Sequence, residues 1–203
     1  MSSEQSLSPS DFDMEQDEYE LDSRQREVLG AMFEDTDVTY SFQGLRRKLG
    51  FHQEMLSRTL DRLEDQELVQ RTRDGYRLSP RSHATQFGYD AVTQTFETKV
   101  VTAYLPAEVD FTIMLGKTRG RWFKEFRWLG YSMGRDGLSL NWITDDGRIQ
   151  LRARVHHQTL VISALYANRS EHERATKAAF DLFDFVSRES GEILEPTPTT
   201  VLN

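Results

Sequence analysis

The sequence predicts an α+β protein: an N-terminal set of helices closed by a two-stranded hairpin, followed by a C-terminal antiparallel sheet packed by helices. Three observations carry that prediction. Residues 22–66 place apolar side chains at helical spacing, and Asp74-Gly75 sits between two short strand-forming runs. From residue 98 to residue 167 apolar and polar side chains then alternate, before one last helical stripe.

Composition narrows the function. The 203 residues hold 25 basic and 33 acidic side chains, a formal charge of −8, and no cysteine. A disulfide framework, a thiol nucleophile and a thiolate zinc site are therefore excluded. No run approaches the roughly 18 apolar residues of a membrane span. The start lacks the basic and apolar segments of a signal peptide, so a cytoplasmic protein without membrane contact is expected. The charge is unevenly spread: residues 1–21 carry seven acids and no base, while residues 22–203 carry 25 basic and 26 acidic groups. The acidic total therefore describes a tail and does not argue against a nucleic-acid partner.

The expected organisation is an acidic disordered tail over 1–20, a first domain over 21–82, a second over 83–192 and a C-terminal tail over 193–203. Asp22 or Ser23 is the expected N-cap of a first helix whose stripe is Leu21, Val28, Leu29, Met32 and Phe33. Ser41 caps a short second helix with Phe42, Leu45 and Leu49 inward, ended by a left-handed Gly50. A third helix over 53–66 gathers Leu56, Leu60, Leu63 and Glu67 on one face and Glu54, Arg58, Asp61 and Asp65 on the other. The runs 68–73 and 76–78 flank Asp74-Gly75 as a hairpin.

Helix, helix, turn, helix and two-stranded wing make a winged helix-turn-helix. Leu45-Arg-Arg-Lys-Leu-Gly50, Leu56-Ser-Arg-Thr-Leu-Asp-Arg-Leu-Glu64, Glu67-Leu-Val69 and Gly75-Tyr-Arg-Leu-Ser79 resemble the DNA-binding half of MarR- and ArsR-type transcriptional regulators, over residues 22–80. The resemblance implies that the third helix enters the major groove of double-stranded DNA and that the wing lies over the backbone. Arg58 then suits guanine, Glu54 cytosine and Gln53 adenine, with Ser57 and Arg62 at the flanks. Arg46, Arg47 and Lys48, with Arg71, Arg73 and Arg77 on the wing, suit phosphates. Asp61 and Asp65 oppose DNA on that face unless Arg58 or Arg62 pairs with them. One such module reads few base pairs, so a homodimer is expected. The alternative is a non-enzymatic assembly factor of a transcription or replication complex whose winged helix binds protein.

The second domain reads as β-α-β-β-β-β-α, an antiparallel sheet covered on one face by two helices. Residues 98–105 form the first strand, and Pro106 starts a helix to Leu115. Leu138, Leu140 and Trp142 alternate to a turn at Asp145-Asp-Gly147, followed by Ile149, Leu151, Ala153 and Val155 and a strand over 160–167. Ser170 and Glu173 form a capping box for a helix with Ala175, Ala179, Leu182, Phe183 and Val186 inward and Phe180 outward. The element order is similar to one repeat of the TATA-binding protein, and a helix-grip ligand-binding fold fits it as well. Arg148, Gln150, Arg152, Arg154 and His156 share the face opposite the apolar one. Residues 117–135 hold six bases and one acid among five aromatics. This basic face suits a small anionic effector or a second nucleic-acid contact, a subunit interface, or simply solvent.

No catalytic constellation emerges. Gly130-Tyr-Ser-Met-Gly134 matches a nucleophile elbow but leads into a strand, and Gly116-Lys-Thr118 lacks the earlier glycine of a phosphate loop. The five histidines show no paired metal spacing, and His156 and His157 are expected on opposite faces. Neither an enzyme nor a cofactor is expected.

Overall fold

The computed structural model describes residues 21–84, 96–105, 110–135, 137–190 and 196–197. The acidic tail expected at 1–20 and most of the tail expected at 193–203 lie outside the described residues. Asp22 caps α1 (Ser23–Phe33): its carboxylate accepts the Gln25 N–H at 2.8 Å, and the Gln25 side chain accepts the Asp22 N–H at 2.9 Å. Val28, Leu29 and Met32 turn inward. Ser41 caps α2 (Phe42–Leu49) by accepting the Gly44 N–H at 3.0 Å, and Gly50, with φ 66°, ends it. In α3 (Gln53–Asp65) Leu56, Leu60 and Leu63 are buried while Glu54, Arg58, Asp61 and Asp65 are exposed. Glu67, placed on the apolar face by helical counting, lies past the helix end with φ 58° and points to solvent.

The hairpin of β2 (Val69–Thr72) and β3 (Gly75–Leu78) forms, but its turn is Arg73-Asp74, and Gly75 already pairs with Thr72. Glycine is required there by its neighbour and its backbone, with φ 144° and a Cβ that would stand 2.0 Å from the Tyr40 carbonyl oxygen. That carbonyl belongs to β1 (Thr39–Tyr40), a two-residue strand that pairs with β3 on one side and with β5 (Phe126–Met133) on the other. Gly130 of β5 meets β1 in the same way, since a Cβ would stand 2.3 Å from the Thr39 carbonyl oxygen. Two glycines thus let a very short strand splice the N-terminal hairpin onto the C-terminal sheet.

Among the described residues the result is one antiparallel sheet of nine strands, in the order β2-β3-β1-β5-β6-β7-β8-β4-β9. Its other members are β4 (Phe96–Tyr104), β6 (Gly137–Thr144), β7 (Ile149–His156), β8 (Thr159–Tyr166) and β9 (Pro196–Thr197). A fragment of the expected C-terminal tail therefore adds a strand at the β4 edge, pairing Ala103 with Pro196 and Thr102 with Thr197. The protein is α+β, and the expected order β-α-β-β-β-β-α is found in its second half.

Along that half α5 (Phe111–Thr118) and α6 (His172–Ser190) pack on one sheet face. Leu140, Trp142, Leu151, Ala153, Ile162, Ala179, Leu182 and Val186 form its core. Phe180 is exposed, as its place outside the stripe predicts. The cap of α5 is Asp110, whose carboxylate takes the Thr112 and Ile113 N–H groups; Pro106, the expected start, lies outside the described residues. The Ser170–Glu173 box is replaced by a 3-10 turn over Arg169–Glu171, where Asn168 accepts the Ser170 N–H at 3.0 Å before α6 starts at His172. The rings of His156 and His157 touch, 4.1 Å apart, because φ of His157 is 51° and the strand alternation has already ended.

The expected boundary between residues 82 and 83 falls within the short helix α4 (Pro80–Ala84), and each half has its own apolar cluster. The clusters are not independent. Leu129 and Ile143, on the sheet face away from α5 and α6, are fully buried against Leu45, Tyr40 and the rest of the helical core. Leu129 lies at a bulge in β5, where the register to β6 shifts between Trp128 and Gly130.

Candidate nucleic-acid interface

The helical half docks on the sheet and leaves the outer face of α3 uncovered. Gln53, Glu54 and Arg58 are exposed there, and Ser57 is half-buried. The Arg58 guanidinium lies 2.5 Å from the Glu54 carboxylate, one turn away. Arg62 bridges to Asp22 at 3.2 Å. The pairing of Asp61 or Asp65 with Arg58 or Arg62 does not occur. β2 runs back along α3, so Arg71 takes Asp61 at 2.6 Å and Glu64 at 3.2 Å, with its guanidinium over the Tyr76 ring. Arg77 donates twice to the Gln70 side-chain oxygen. Arg73, in the hairpin turn, is exposed, and neither it nor half-buried Arg46 has an acidic partner among the described residues.

Arg47 and Lys48 are elsewhere. The β6–β7 turn comes up against the end of α2, so both face the sheet, with only 16% and 13% of their side chains exposed. Arg47 pairs with Asp145 at 2.9 Å, which also holds Arg127 at 3.2 Å. Lys48 pairs with Glu34 at 2.8 Å and donates to Gln150 at 3.3 Å. Their neighbours in sequence gave no sign of the sheet contacts, because Asp145 and Gln150 lie about a hundred positions away.

The basic face predicted on β7 is not open. Arg152 is 5% exposed and sits between the halves, with Asp35 at 3.0 Å, Glu97 at 3.9 Å and its Nε donating to Asn141 at 3.1 Å. Gln150 is buried and also donates to Asn141. Arg154 reaches Asp35 at 3.9 Å but remains half exposed, and His156 is exposed at the strand end. Arg148 precedes β7 and points instead toward Asp146 and Glu171, 3.8 Å from each. The four predicted residues therefore do not form one site: Arg152 is the centre of a polar seam between the halves. Tyr40 closes that seam. Burial, then the charges of Asp35 and Glu34, push its phenol well above the ordinary range.

A hollow of about 550 Å³ lies where β4 starts beside the end of β8, lined by Phe96, Glu97, Thr98, Tyr166, Arg169 and His172. In it the Tyr166 hydroxyl meets Thr98 at 2.9 Å and His172 Nδ1 at 2.6 Å. The Gly130–Met133 segment runs along β5 rather than through a strand-to-helix turn, so Ser132 has ordinary strand surroundings opposite Ser139.

One junction had no signature in the sequence. Asp74 was expected only as a turn residue, yet one oxygen accepts from Arg119 at 2.7 Å and the other from the Tyr131 hydroxyl at 2.8 Å. Burial, followed by the bond to Asp74, raises the Tyr131 phenol above its usual range and keeps it a donor. The hairpin turn is thereby tied to the α5–β5 loop. No family model, curated protein or solved structure matches the chain.

Proposed function

We propose that this protein is a DNA-binding regulator of transcription whose α3 reads the major groove while the hairpin β2–β3 lies along the adjacent backbone. The supporting observation is the uncovered outer face of α3, flanked by a hairpin tied to α3 by Arg71 and to Arg119 and Tyr131 by Asp74 in its turn. In this reading the helical half is a winged helix-turn-helix with Gln53, Glu54, Ser57 and Arg58 toward the bases. Arg46, Arg73 and Arg77 meet phosphates, and Arg62 helps at the flank. Arg47, Lys48 and Arg71 are structural. The Arg58–Glu54 pair must open for base contact, and the energies permit this. An exposed pair one turn apart is worth about 0.3–0.5 kcal/mol, against about 1–3 kcal/mol for a bidentate contact to guanine. A second half that pairs two copies on adjacent half-sites, or holds a small anionic effector, completes the regulator.

A second reading draws on the charge of α3 itself, where Glu54, Asp61, Glu64 and Asp65 outnumber Arg58 and Arg62. That balance favours a basic protein partner and hence an assembly factor. Selection of bound sites from a random duplex pool separates the two. The regulator reading expects a preferred site; Arg58→Ala relaxes preference at one base pair, whereas Arg73→Ala weakens all duplexes alike. Equal loss on every sequence from both variants contradicts the assigned roles, and absence of any retained duplex favours the assembly factor.

A further inference from the structure

We infer that the last turn of α5 and the α5–β5 loop, residues 117–122, form a second backbone-contacting element that extends the wing, so that the protein grips duplex DNA with both halves of the chain. The inference rests on the DNA-binding reading above and adds to it a surface outside the helical half. From Gly116 to Phe123 the helix end and loop carry Lys117, Arg119 and Arg121 and no acid. Arg119 touches Asp74 in the hairpin turn at 2.7 Å, next to the exposed Arg73, so the loop continues the surface of the wing.

The loop is held before any ligand arrives. Thr118 is buried, with its hydroxyl on the Met114 carbonyl at 2.8 Å, and the Arg121 carbonyl accepts the Trp142 indole N–H at 3.0 Å. Gly120, with φ 72°, makes the reversal between these anchors. Held in this way, the loop needs little further ordering on binding.

Its charge is also unspent. Elsewhere in the basic stretch Lys124 pairs with Asp181, and Arg127 pairs with Asp145 beneath the exposed Trp122 ring. Lys117 and Arg121 are exposed and have no acidic partner among the described residues. Arg119, neutralised by Asp74, is a positioning residue, and Lys117 and Arg121 are the groups left to meet phosphates. A pocket-bound anion is the weaker fit, because these cations stand on an exposed loop rather than around a cavity. A polyanion with charges along its length matches them.

The test is the salt dependence of duplex binding by the full chain, its Lys117→Ala/Arg121→Ala double variant, and Lys177→Ala on α6 as an exposed control. The inference expects the double variant to bind every duplex several-fold more weakly. The slope of log K against log salt should shrink by about 0.9 for each phosphate that is no longer neutralised. Lys177→Ala should leave the slope unchanged. An unchanged slope in the double variant, with wild-type binding intact, overturns the inference and leaves the α3 reading standing. An equal change in Lys177→Ala overturns it too, by assigning the effect to net charge. If the wild type binds no duplex at low salt, both readings fall together.

Discussion

Arg47 and Lys48 at the end of α2 and Arg73 and Arg77 on the hairpin are all long basic side chains, yet they lie in opposite settings. Arg47 and Lys48, with Arg152 across from them, are nearly out of water and matched to Asp145, Glu34 and Asp35. Arg73 and Arg77 are in water and form no ion pair among the described residues. The first group joins the halves of the molecule; the second is free for a partner. Basic residues therefore divide by what packs over them, and those that reach water without an acidic partner are available to bind.

The largest effect should come from the seam. Arg152→Leu strands the Asp35 carboxylate in a mostly buried site and should lower unfolding stability by about 3 kcal/mol. Arg73→Ala should stay within about 0.5 kcal/mol in the same urea titration. Comparable losses for the two would erase the distinction between the regions.

Next comes the splice itself. Gly130→Ala pushes a methyl into the Thr39 carbonyl and should cost about 2 kcal/mol. It should also raise amide exchange at β1 and the hairpin more than in β7 and β8. Uniform exchange across the sheet would show that β1 is not the joint.

A smaller effect belongs to the β6–β7 turn that presses on α2. Burial of Asp146 opposes its charge, but the Thr144 hydroxyl, the Arg148 N–H, and Arg174 and Arg148 outweigh it and hold the carboxyl below its usual range. A lowered folded value means that the unfolded chain binds the extra proton. The stabilisation is therefore present above the ordinary carboxylate range and fades as pH falls through the folded value. Asp146→Asn should cost about 1 kcal/mol at neutral pH, with solvent exposure limiting the loss, and nothing in strong acid. A loss independent of pH would assign the effect to shape rather than charge.

What was legible in the sequence was whatever depends on near neighbours. The caps Asp22 and Ser41, the left-handed Gly50, the inward leucines of α3 and the alternation along β6 and β7 all follow from spacing over a few residues, and all are present. The failures involve partners far along the chain. Gly75 looked like half of a turn because its reason, the Tyr40 carbonyl, is brought to it only by sheet pairing. Alternation correctly placed Arg152 on the polar face, but nothing local said that Asp35 would cover it. Of the candidate interface, Arg58 and Arg73 stand where periodicity and the hairpin signal put them. Arg47 and Lys48 were taken by the sheet, and Asp74 gained partners at Arg119 and Tyr131 that only the fold supplies.

The central claim is that the free cations of the outer surface meet a nucleic-acid backbone. Its most direct test is the equilibrium affinity of the full chain for duplex DNA across a series of salt concentrations. With Arg46, Arg73 and Arg77 on phosphates, log K should fall linearly with log salt, with a slope of about −3 per copy from these groups alone. A protein that retains no duplex even at low salt, or whose affinity is indifferent to salt, contradicts the claim.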